Sequence, residues 1–147
     1  MNKNILYLLS ILEAIEKIKV YRSGFNNAND FFEANLQKEF NATLNLLIAI
    51  GEEARKIDDK LKSMIDFDWK SVVGLRNFLS HNYRGIDPNI IWDIVTNRLD
   101  KLKEICVLLV KKIGVKKTAV STVRGYKHTR RRNAPLFIFL IRQIIKQ

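Results

Sequence analysis

The chain has 147 residues, nearly half of them apolar, a formal charge of +11 and one cysteine. That length buries one sizeable core and rarely two. A lone cysteine excludes an intramolecular disulfide, and no apolar run approaches the ~18 residues of a membrane span.

Lys3 followed by the apolar run Ile5 to Leu12 faintly resembles a signal peptide, but Glu13 and Glu16 arrive without a small-residue cleavage site. Ile5, Leu8, Leu9, Leu12, Ile15 and Ile18 recur at three and four residues, which predicts a helix over 3–21. Ser23, Gly24 and the cluster Asn26 to Asp30 break that pattern. Phe31, Phe32 and Leu36 then lead, with room for a brief helical turn, into a long helix through Phe40, Leu44, Leu47, Ile48, Ala54 and Ile57. Gly51 inside it costs up to ~1 kcal/mol relative to alanine, so it marks a close backbone contact or a bend.

After the charged stretch 58–62, Asp68 reads as the N-cap of a third helix carrying Trp69, Val72, Val73, Leu75, Phe78 and Leu79, which ends near Ser80 to Arg84 with Gly85 as its stop. Asp87-Pro88 pairs a capping aspartate with a proline at the first helical position and opens a last helix, whose stripe runs from Ile91 to Ile113. Pro88 and Pro135, the only prolines, interrupt no apolar-periodic stretch. The fold class expected is all-α, an antiparallel bundle of four principal helices joined by short connections. Trp69 and Trp92 read as core anchors, and Cys106, among Ile105, Val107 and Leu108, as a buried apolar residue in a reducing, cytoplasmic protein.

The positive charge is unevenly placed. Residues 1–112 carry 17 Lys and Arg against 15 acids, whereas 113–147 carry nine basic residues and no acid. The expected organisation is therefore a helical domain, 1–112, and a basic C-terminal extension, 113–147. The extension holds a basic block at Arg130 to Arg132 and an apolar segment from Leu136 to Ile145. A phosphate-contacting arm, a partner-docking or membrane-surface segment, and an appended sequence without a role all remain open for it.

The string RNFLSHNYRG, residues 76–85, concentrates the reactive side chains. Arg76 and His81, five apart, would be offset by about 140° on a regular helix, so they converge only if the helix ends or another chain contributes. An imidazole near a helix C-terminus can accept or donate a proton near neutrality. A guanidinium fork can hold a phosphate and stabilise charge growing on it. These parts suffice for metal-independent RNA cleavage. His81 and His128 are the only histidines and no spaced Cys/His cluster accompanies them, so neither a zinc site nor another cofactor is expected. No glycine-rich phosphate loop occurs. Taken alone, R-x4-H-x-Y is of modest specificity and also fits a polar helix end.

The ordered series ILEAIEKIK, NLLIAIGEEARKI, DWKSVVGLRNFLSHNYRGID and IIWDIVTNRLDKLKEI, over roughly residues 3–112, resembles the HepT-like branch of the HEPN family. The resemblance implies an endoribonuclease toxin of a type II toxin–antitoxin pair, a homodimer with catalytic Arg76 and His81 at a cleft between protomers. Asn77 matches a supporting polar position. Tyr83 matches the tyrosine that a nucleotidyltransferase antitoxin modifies with AMP. Glu52 matches a glutamate of supporting role, although Glu53 replaces the usual small residue after it, and an exposed helix carboxylate is an equal reading. The alternative function is a non-catalytic module that holds nucleotide or RNA for a nucleotidyltransferase.

Overall fold

A computed structural model describes residues 2–113. Most of the basic extension, including Arg130 to Arg132 and the segment Leu136 to Ile145, lies outside the described residues. Seven α-helices follow in order: α1 (Lys3–Arg22), α2 (Ala28–Glu33), α3 (Lys38–Lys56), α4 (Asp59–Lys62), α5 (Trp69–Asn82), α6 (Pro88–Asp93) and α7 (Leu99–Ile113). There is no strand among the described residues, and the expected all-α class holds.

The four long helices α1, α3, α5 and α7 form the bundle, with α5 packed on α3, α3 on α1, and α1 on α7. Their antiparallel sense follows from which ends meet. Asn4, at the start of α1, donates from Nδ2 to Asp58 Oδ2 just past the end of α3 (2.9 Å) and accepts from the Asp58 backbone N–H (3.0 Å). Lys19 and Glu16, late in α1, pair with Asp100 and Lys103, early in α7, at 3.0 and 2.6 Å. The apolar stripe of α1 is buried throughout, including Ile5, Leu8, Leu9, Leu12, Ile15 and Ile18. The side between α5 and α7 stays open as a groove of about 340 Å³, walled by Val72, Leu75, Ile94, Leu99 and Leu102.

Capping fixes the register of the helices. Asp68 accepts from the Ser71 N–H at 3.1 Å and from the Ser71 hydroxyl, and Asp87 accepts from the Asn89 N–H at 2.8 Å with Pro88 at the first helical position. Gly24, at φ +86°, turns the chain out of α1 where a side chain would be strained.

Two departures from the expected helices carry information. First, the approach to α3 is broken: Asn35, Leu36 and Gln37 take left-handed backbone angles (φ 50°, 55° and 66°), and Leu36 is 97% exposed. Each such non-glycine residue costs of order 1 kcal/mol. An aromatic cluster holds the neighbouring α2: Phe31 meets Phe40 and Trp92 at ring distances of 5.8 and 5.7 Å, and Phe32 meets Phe40 at 4.9 Å. Second, the last helix is split by a π turn over Ile94–Arg98. There the Thr96 hydroxyl donates to the Trp92 carbonyl at 2.6 Å, and Asp93 accepts from Asn97 and Arg98. Both tryptophans serve as anchors, Trp69 buried and edge-on to Phe67 at 5.2 Å, Trp92 partly buried against Phe31.

Candidate active site

Helix α5 presents the motif because one of its stripes is apolar and buried while the remainder is left to solvent. Val72 and Leu79 are buried, and Gly51 on α3 lets α5 approach closely. A Cβ at Gly51 would lie 2.9 Å from the Arg76 backbone nitrogen and 3.2 Å from the Val72 carbonyl oxygen. The expectation of a close backbone contact at Gly51 is met, and its beneficiary is Arg76.

The residue after that glycine, Glu52, places Oε1 2.6 Å from Arg76 Nε and Oε2 3.5 Å from an Arg55 guanidinium nitrogen. Oε1 is shut off from solvent but accepts no well-aligned hydrogen bond, so the contact is mainly ionic. The Arg76 side chain is nevertheless 51% exposed. Contact through Nε leaves the two terminal nitrogens of the fork for a second anion. Glu52 is thus placed to hold the arginine by its inner nitrogen while the arginine side chain stays half-exposed.

Asn77 and His81 are exposed one turn apart, and neither side chain has a hydrogen-bond partner among the described residues. On the same side of α5, a Cβ at Gly74 would meet no described residue within 4 Å. Because α5 remains helical through Asn82, Arg76 and His81 keep the ~140° offset of a five-residue spacing. One protomer therefore unites Arg76 with Glu52 but does not bring Arg76 and His81 to a common point. The helix end is secured by Asn82, whose Nδ2 donates to the Phe78 carbonyl at 2.8 Å, and by the Gly85 N–H, which donates to the Asn82 carbonyl at 3.0 Å. Gly85 has no positive φ, so the expected glycine stop is not a left-handed cap.

Tyr83 caps α5, 40% exposed. Seven residues from Arg76, it lies about two turns further along nearly the same face, roughly 10 Å away. It borders a recess of about 450 Å³ whose other walls include Phe32, Gln37, Phe40, Asn41 and Arg84.

The sequence pattern of one family, described as ribonuclease HepT-like, matches residues 11–109, which take in α5 whole. The chain belongs to the HepT-like ribonuclease family. A relative from Methanocaldococcus jannaschii with a provisional RNase name is 34% identical over 99 residues, covering 67% of this chain and 88% of the relative. A Thermococcus cleftensis protein, provisionally named ribonuclease HepT, is 29% identical over 98 residues, 66% of this chain and 86% of that one. A longer M. jannaschii protein, named for gamma-glutamylcyclotransferase with a provisional RNase, is 27% identical over 122 residues, and the match spans only 54% of its length. No solved structure matches the chain.

Among the described residues no group of three or more His, Cys, Asp or Glu is arranged to hold a metal, and no helix is long and apolar enough to cross a membrane. Sequence reasoning named the HepT-like motif residues but gave Glu52 no more weight than an exposed carboxylate. It missed the recess beside Tyr83 altogether. Arg84 stood within the quoted motif, yet nothing in the spacing of Gln37 or Asn41 tied them to it, because a left-handed turn sets their placement.

Proposed function

We propose that this HepT-like chain is a metal-independent endoribonuclease toxin, acting as a homodimer in the cytoplasm and neutralised by a nucleotidyltransferase antitoxin. The observation that carries the reading is the half-exposed Arg76 fork, held by Glu52 and borne on the same helix as an exposed, unpartnered His81. Arg76 and His81 are the catalytic pair. His81 takes the proton of a ribose 2′-hydroxyl, the oxygen attacks the adjacent phosphorus, and the 5′-oxygen leaves with a proton returned by the imidazolium. The products are a 2′,3′-cyclic phosphate and a 5′-hydroxyl. Arg76 balances the charge that builds on the phosphate oxygens, and Asn77 steadies the imidazole or the phosphate.

The divergence of Arg76 and His81 on one helix makes a second copy part of the reading: the arginine of one protomer works with the histidine of its partner. The open space over Gly74, where an added Cβ would meet no described residue within 4 Å, favours such an approach. Tyr83 is the modification site. Its phenolic oxygen attacks the α-phosphorus of ATP, gaining AMP and releasing pyrophosphate. The added negative charge then lies on the face that carries Arg76 and competes with substrate for it.

The test incubates RNA with wild type, His81→Ala and Arg76→Ala in the presence of chelator. Loss of about 100-fold or more in cleavage rate for each variant is expected. Equal cleavage by all three would refute the assignment, and products ending in a free 3′-hydroxyl would require another nucleophile. RNA held without turnover by wild type would transfer the reading to a non-catalytic binding module.

A further inference from the structure

The recess beside Tyr83 combines features that the cleavage reaction does not use. Three aromatic side chains, Phe32, Phe40 and Tyr83, wall it, with Phe32 and Phe40 edge-on at an interplanar angle of 87°. Two amide side chains, Gln37 and Asn41, line it and make no hydrogen bond among the described residues. Arg84 borders it, and its side chain has no acidic partner among them. No carboxylate among the described residues lines the recess, so Arg84 is the charged group there that an anion entering it meets.

Gln37 is held there by the left-handed run Asn35 to Gln37, a costly backbone conformation at the recess itself. A volume of about 450 Å³ falls within the range of roughly 300–1,000 Å³ typical of small-ligand sites. Aromatic faces for stacking, amide edges that can donate and accept, and a guanidinium for phosphate are together the chemistry of a nucleotide.

We infer that this recess is a nucleobase subsite, with Phe32 and Tyr83 flanking the base, Gln37 and Asn41 reading its edge, and Arg84 holding its phosphate. The inference rests on the reading of the chain as acting on RNA. The base has two possible sources of the same chemistry: a nucleotide of the RNA strand next to the one cut, or the adenine of an adenylate on Tyr83.

The experiment uses full-length His81→Ala protein, so that RNA is not consumed. Affinities are measured for a short single-stranded RNA and for the same RNA made abasic, and Gln37 and Asn41 side-chain amide resonances are followed with AMP alone. Base-bearing RNA should bind roughly tenfold more tightly than abasic RNA, the worth of one stacked base. Asn41→Trp, which fills the recess from a partly exposed position, should erase that difference without weakening abasic RNA. Gln37→Ala should reduce the difference in the same direction. If the two RNAs bind alike but AMP shifts the two amides, the site stands and its occupant is the adenylate. Equal binding of both RNAs with no AMP response overturns the inference, as does a preference that survives Asn41→Trp. Arg76→Ala should keep the base preference while losing cleavage. A wild-type protein that prefers the base yet cuts no RNA would sink the nuclease reading alone.

Discussion

At the scale of single residues, the Glu52–Arg76 contact sits between two different expectations. Both side chains are partly exposed, 28% and 51%, so solvent screening limits the pair to less than about 1 kcal/mol of stability. In the proposed reaction its value would lie in aiming the arginine. Glu52→Gln should leave the urea midpoint nearly unchanged and lower RNA cleavage about tenfold, because a misplaced charge clamp costs rate rather than folding. Gly51→Val should do the reverse in emphasis. Its side chain meets Arg76 backbone at 2.9 Å, which cannot swing aside, and a loss of about 1–3 kcal/mol in urea unfolding is expected. Cys106 is fully buried, and burial pushes its thiol well above the ordinary range. It should resist alkylation in the folded protein and react only on unfolding. The sequence exposed these residues unequally. Gly51 announced itself because glycine is costly mid-helix, whereas Glu52 was a supporting residue by resemblance alone, its spacing fitting an exposed helix carboxylate equally well until its partner on α5 was placed.

At the scale of elements, chemistry local to a helix end was readable and chemistry set by distant packing was not. Asp68 and Asp87 are caps as their sequences indicate, since the hydrogen bonds they make span only two or three residues. The left-handed run before α3 and the π turn at Ile94–Arg98 flank the contacts of Phe31 with Phe40 and Trp92 across the fold, and no periodicity encodes such distant meetings. The Ser71 hydroxyl and N–H hold the Asp68 carboxyl below its usual range. A carboxyl depressed in the folded state contributes stability that is fully present above the unfolded pKa of about 3.9 and is lost as pH falls below that through the lower folded pKa. Asp68→Asn keeps a good cap, so thermal unfolding near neutrality should barely change, while part of the acid-induced loss below about pH 4 disappears. The Asn4–Asp58 pair joins the start of α1 to the end of α3 from a buried position. Asn4→Ala leaves both Asp58 groups without that partner and should cost about 1–3 kcal/mol in chemical denaturation.

At the scale of the whole molecule, bundle and motif were both present in the sequence, but their relation was not. Apolar stripes at helical spacing predicted four long helices, and short connections predicted their antiparallel order. Where the motif would point depended on whether α5 ended before His81, and it does not. A protomer pair that shares each site has a distinctive signature. Arg76→Ala and His81→Ala proteins, each inactive, should recover up to about a quarter of wild-type cleavage when mixed and allowed to exchange, since half the pairs are then hybrids with one intact site of two. No recovery, with exchange verified by mass, would place the reaction within a single chain. The unbroken run of α5 through Asn82 also carries a consequence for dosage. On the proposed two-chain site an isolated copy would cut nothing, so activity would climb with the square of abundance while pairing is scarce. Under that proposal a cell would tolerate a trickle of the protein, and only a surge would make it dangerous.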